Sequence, residues 1–132
     1  MPSRPIIAAL QVTLARHPGL ELAIVFGSVA GGTQDAQSDV DLAVQAACPL
    51  DASMKMALVA ELAEATGRAV DLIDLRSAGE PLLGQILVHG RRLLGSDEAY
   101  ARLLSRQLID AADFLPCAQR ILDERRQAWV GR

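Results

Sequence analysis

The sequence predicts an α/β (α+β) domain, a small mixed β-sheet flanked by helices and followed by a helical C-terminal tail. Three observations carry this. Apolar and β-branched runs of strand length alternate with stretches of helical apolar spacing over the first two thirds of the chain. Gly, Pro, Asp and Ser punctuate the joins between them. At 132 residues, with 51% hydrophobic and 22% charged residues, the composition is that of one folded domain with a real core. A core over 1–95 is expected, with 96–132 a helical extension packing on that core or on a partner, all within a single domain.

The first element is a helix over 4–16, "RPIIAALQVTLAR", ended by Pro18-Gly19. "LELAIVFG" (20–27) reads as a strand of a covered sheet. Gly31-Gly32 marks a turn or the end of a short helical segment begun near Ser28. "DVDLAV" (39–44) alternates and is the second strand. Asp51 is an N-cap for "ASMKMALVAELAEAT", in which Met54, Leu58 and Leu62 recur every fourth residue, and Gly67 is its C-cap. "AVDLIDL" (69–75) is a third strand. "EPLLGQILVHG" places Pro81 near a helix N-terminus and closes at Gly90. "RRLL" is a short strand or extended piece. From Ser96 a helical region runs to about Ala128, interrupted or kinked at Pro116. Its leucines and isoleucines exceed what a small sheet can cover, so part of them is expected to meet a partner or a second copy.

Composition excludes several classes. A net charge of -3 argues against an extended duplex nucleic-acid surface. No apolar run reaches the length of a membrane span. Cys48 and Cys117 lack metal-ligand spacing and read as reduced core thiols, and with no recognisable leader a cytoplasmic protein is expected. Lys55 is the only lysine, a bias that genome composition explains as readily as function.

The chemistry concentrates in "GSVAGGTQDAQSDVDLAV" (27–44). In a strand, residues two apart share a face, roughly 6.5–7 Å from each other. Asp39 and Asp41 therefore project side by side, while Val40, Leu42 and Val44 point to the core. Two adjacent carboxylates resist ionisation unless a cation lies between them. Mg²⁺ suits such a pair, because it takes carboxylate oxygens and leaves positions for water and phosphates. Two ions about 3.5–4 Å apart could stabilise attacking and leaving oxygens in phosphoryl or nucleotidyl transfer. Gly27-Ser28 follows the first strand, where a glycine lets backbone N–H groups approach a phosphate and a serine adds a hydroxyl. The stretch lacks the Gly-Lys-Ser/Thr ending of a P-loop and the acidic spacing of an EF-hand. Asp71 lies inside the third strand as a mid-strand acid, costly to bury unless paired or bound to metal. Asp74, three residues on, faces the other way, so strand parity favours Asp71 as a third ligand.

Gly27-Ser28, ten residues, Asp39-Val40-Asp41 and then "VDLIDL" resembles the signature of the minimal nucleotidyltransferases of the DNA polymerase β-like superfamily. The resemblance covers about 20–95. It implies that Gly27 and Ser28 hold the triphosphate, and that Asp39, Asp41 and Asp71 bind Mg²⁺ and support attack by an acceptor hydroxyl. It further implies an antitoxin that acts on a helical toxin of the HEPN class, transferring AMP from ATP to a protein hydroxyl such as a tyrosine. Neutralising that partner by binding alone is the alternative. Gly31 stands where many members of the family carry an arginine, a departure that bears on nucleotide affinity.

The remaining polar residues have ordinary readings. His17 reads as a solvent-facing helix-end residue. His89 reads as a helix C-cap, with a catalytic role as the lesser alternative. Arg91-Arg92 reads as a solvated pair, a nucleotide or RNA partner being the alternative.

Overall fold

The computed structural model describes residues 3–27, 39–109 and 112. Seven elements follow in order: α1 (Ser3–Ala15), β1 (Leu20–Phe26), β2 (Val40–Ala46), α2 (Ala52–Thr66), β3 (Val70–Asp74), α3 (Leu82–His89) and β4 (Arg91–Leu94). An eighth, α4, runs over 97–109. The strands form one mixed sheet in the order β3-β2-β1-β4. β1 is antiparallel to both β2 and β4, and β2 is parallel to β3.

Both faces of the sheet are covered, which is why β2 buries nearly every position instead of alternating. On one face Leu42, Val44 and Leu72 pack with Leu10 and Leu14 of α1 and Leu58 and Leu62 of α2. On the other, Leu22, Ile24 and Ala43 pack with Leu83 and Ile86 of α3 and Ala99 and Leu103 of α4. A hydrogen bond of 2.8 Å from His17 Nε2 to Glu61 Oε2 joins the end of α1 to α2, so His17 has a structural role beyond facing solvent.

Local signals act where the residues suggest. Asp51 Oδ1 accepts from Met54 N at 2.8 Å and starts α2; Gly67, at φ 69°, donates its N–H to Ala63 O and ends it. Ser96 Oγ accepts from Ala99 N at 3.1 Å at the start of α4. Arg92 is engaged there too: it donates to Ser96 O and Asp97 Oδ1, and its guanidinium lies 4.7 Å from the Tyr100 ring centroid. Arg92 thus ties β4 to α4 and is not simply a solvated charge, while Arg91 is exposed.

Three expectations are corrected. Cys48 is exposed in the β2–α2 loop, not a core thiol. Met54 is 51% exposed, although it shares the four-residue apolar spacing of the buried Leu58 and Leu62. Asp71 is exposed, not buried, because β3 is an edge strand. Cys117, Pro116 and the tail beyond 112 lie outside the described residues, as do Ser28, Gly31 and Gly32. In the described part of α4, Leu103 is 3% exposed, whereas Leu108 and Ile109 are 67% and 62% exposed. No described helix is long and apolar enough to cross a membrane.

Candidate active site

The site is built on one end of the sheet, on the face that α3 and α4 cover. Sheet register sets it. Asp41 lies opposite Asp71 across the parallel β2–β3 pair and opposite Phe26 across the antiparallel β1–β2 pair. Neighbouring strands are about 4.8 Å apart, so Asp71, Asp41 and Phe26 form a single row across three strands. Asp39 sits just before β2 and is exposed, two residues from Asp41. The structure therefore brings Asp39, Asp41 and Asp71 to one end of the sheet. It separates Asp74, which pairs with Val44 on the opposite face. Asp74 serves the turn after β3, where its Oδ1 accepts from Arg76 N at 2.9 Å.

Asp41 is the half-buried member of the group, and its carboxyl titrates above the ordinary value. Partial burial is the main cause; the charges of Asp71 and then Asp39 add to it.

Gly27 closes the row. It follows β1 at φ 73°, a conformation that favours glycine. A Cβ there would overlap Asp41 Oδ2 and stand 3.3 Å from Asp41 Cγ. The glycine thus admits the sharp turn and also leaves room for the Asp41 carboxylate. Beside it, Phe26, Gly27, Gln85 and His89 line a cleft of about 380 Å³.

The donor chemistry, carboxylate oxygens concentrated around a group that resists ionisation, fits a hard divalent cation. Among the described residues, no three Asp, Glu, His or Cys side chains are already gathered closely enough to hold an ion.

Gln85 and His89 are the polar residues that sequence reasoning underrated. No motif in the sequence marks Gln85, and His89 reads there chiefly as a helix cap. A signal existed: in "LLGQILVH" they are the only polar side chains, and they stand four residues apart.

Residues 9–99 match the family of polymerase beta, nucleotidyltransferase. Protein adenylyltransferase MntA of Shewanella oneidensis is 44% identical over 87 residues, which is 64% of this chain and 63% of that protein. The chain thus aligns with less than two thirds of that relative's length. A toxin–antitoxin crystal structure with AMP-PNP superposes with a TM-score of 0.77 at 32% identity, over 96% of this chain and 99% of the other. A structure of tri-AMPylated Shewanella oneidensis HEPN toxin in complex with MNT antitoxin gives 0.72 at 27% identity, over 91% and 98% of the respective chains.

Proposed function

The chain belongs to the polymerase beta nucleotidyltransferase family, and from that premise we propose that it transfers AMP from ATP to a protein hydroxyl, such as a tyrosine of a HEPN-type toxin, and so acts as an antitoxin. The observation that carries this is the row Asp71–Asp41–Phe26 with Gly27 beside it: acids on one side, a glycine turn on the other. The similarity to an adenylyltransferase, and to a complex with an AMPylated toxin, supports the same reading.

In this reading Asp39, Asp41 and Asp71 would hold Mg²⁺, as two ions. Bound there, the metal supplies charge neutralisation to the phosphates and to the departing pyrophosphate. The protein's own residues position the reactants. Gly27, with Ser28 after it, holds the triphosphate. Asp71, exposed on an edge strand, is the carboxylate that an incoming macromolecule can reach. The acceptor oxygen forms a bond to the α-phosphorus as the bond to the β-phosphate oxygen breaks. Pyrophosphate leaves, and the hydroxyl proton passes to Asp71. Catalysis is positioning and electrostatics.

The test incubates the protein with ATP, Mg²⁺ and a HEPN-type toxin protein, then weighs that toxin by mass spectrometry. Addition of AMP units that disappears with Asp41→Asn is the expected result. Neutralisation of the partner without a mass change, undiminished by Asp41→Asn, would refute transfer. That outcome would favour the second reading, inhibition by contact alone, for which the exposed Leu108 and Ile109 of α4 speak.

A further inference from the structure

We propose that the hollow at the opposite end of the same sheet face, lined by Arg76, Arg102 and Arg106, is a second anion site that takes a phosphate group. It is separate from the transferase chemistry, and the phosphate it takes is not one held at the acids.

Position sets the hollow apart. Its wall on the sheet is Gln45, which shares a face of β2 with Asp41 and lies four residues further along the strand. At about 3.3 Å per residue the two are roughly 13 Å apart. The other walls come from two further segments, Arg76 from the turn after β3 and Arg102, Leu103 and Arg106 from α4. Arg102 and Arg106 are one helical turn apart and so lie on one side of α4. Together these residues bound about 260 Å³.

Charge is what calls for a ligand. The chain has a net charge of -3, yet three of its guanidiniums line this one hollow. A guanidinium cannot shed its proton to escape a like-charged neighbour. An anion placed between them replaces that repulsion with attraction. Glu98 stands 3.8 Å from Arg102, but with Arg102 68% and Glu98 82% exposed the pair contributes little. Gln45 gives an N–H to Glu21 at 3.2 Å and serves as wall, so recognition falls to the arginines.

Two of the three guanidiniums are held in place. Arg76 donates from Nε to Ala46 O and from Nη2 to Ala47 O, each at 2.9 Å. Arg106 donates from Nη2 to Ala78 O at 2.8 Å. Carbonyl oxygens are neutral acceptors, so these bonds orient the planar forks without cancelling their charge. In Arg76 they engage the side edge of the fork and not its Nη1 end. A phosphate suits such a setting better than a carboxylate, because it brings three strong acceptor oxygens and up to two charges.

The experiment measures binding of inorganic pyrophosphate, inorganic phosphate, glycerol phosphate and a tetraglutamate peptide by calorimetry, in chelator at low salt. Without metal the acids at the far end repel anions, so the heat reports the arginines. The wild type should bind pyrophosphate, and less tightly as salt rises. Arg102→Gln should weaken it about tenfold with no change in Tm, because Arg102 is exposed. Arg76→Gln also removes two bonds to the end of β2, and should weaken binding further wherever its Tm shows it folded. Asp41→Asn should bind pyrophosphate as the wild type does. Binding of glycerol phosphate beside pyrophosphate would identify the ligand as a phosphate carried by an organic molecule; binding of the inorganic anions alone would identify it as free phosphate. Tighter binding of the peptide than of pyrophosphate would overturn the phosphate assignment in favour of an acidic protein segment. No pyrophosphate binding by the wild type, or binding unchanged in Arg102→Gln, would overturn the site.

Discussion

Gly27→Ala separates two demands that the turn after β1 places on one residue. The backbone sits at φ 73°, and an L-residue in that region costs about 1–2 kcal/mol. The new methyl would also overlap Asp41 Oδ2 and crowd Cγ at 3.3 Å. Moving the carboxylate off its rotamer adds about 0.5–1.5 kcal/mol. The sum, about 1.5–3.5 kcal/mol, corresponds to a drop in Tm of roughly 5–18 °C for a domain of this size. Asp41→Ala removes the overlapping atoms and leaves only the backbone cost. Thermal and urea unfolding of the wild type, both single variants and the double variant, in chelator, form the cycle. Gly27→Ala should cost about 0.5–1.5 kcal/mol less in the Asp41→Ala background. An equal cost in both backgrounds would refute the claim that Gly27 is there to make room for the carboxylate.

Asp41 also makes stability depend on pH. Its folded pKa is raised from the usual 3.8 by burial, then by Asp71 and Asp39. The folded state therefore holds the proton more tightly, and this contribution is lost as pH rises from about 3.8 through the folded pKa. In chelator, the Tm advantage of Asp41→Asn over the wild type should grow with pH across that window; a constant difference would argue against the cluster. Mg²⁺ should raise the Tm, more so with ATP, and the double variant Asp39→Asn with Asp41→Asn should abolish the effect while still folding. Asp71→Asn should eliminate transfer, whereas Asp74→Asn, on the other face and able to keep its turn hydrogen bond, should retain most of it. Leu108→Ser with Ile109→Ser should weaken capture of the toxin partner with little change in Tm, since both residues are already exposed.

Where information is local, the residues alone sufficed. Asp51 and Gly67 bound α2 because a capping carboxylate and a left-handed glycine act within one turn of the chain. The order of strands and helices followed from apolar spacing, and the face shared by Asp41 and Asp71 but not Asp74 followed from strand parity and the polymerase-like motif. Only the tertiary structure decided what depends on neighbours distant in sequence. Strand order left β3 at an edge, so Asp71 is open to solvent instead of buried. Pairing of β1 with β2 set Gly27 against Asp41, a contact that no spacing in the chain reveals. The close approach of Gly90 to Ile24 brought Gln85 and His89 over Phe26 and so formed a cleft. Caps and periodicity are written in neighbouring residues, whereas burial and site geometry arise only when separate segments exclude water from one another.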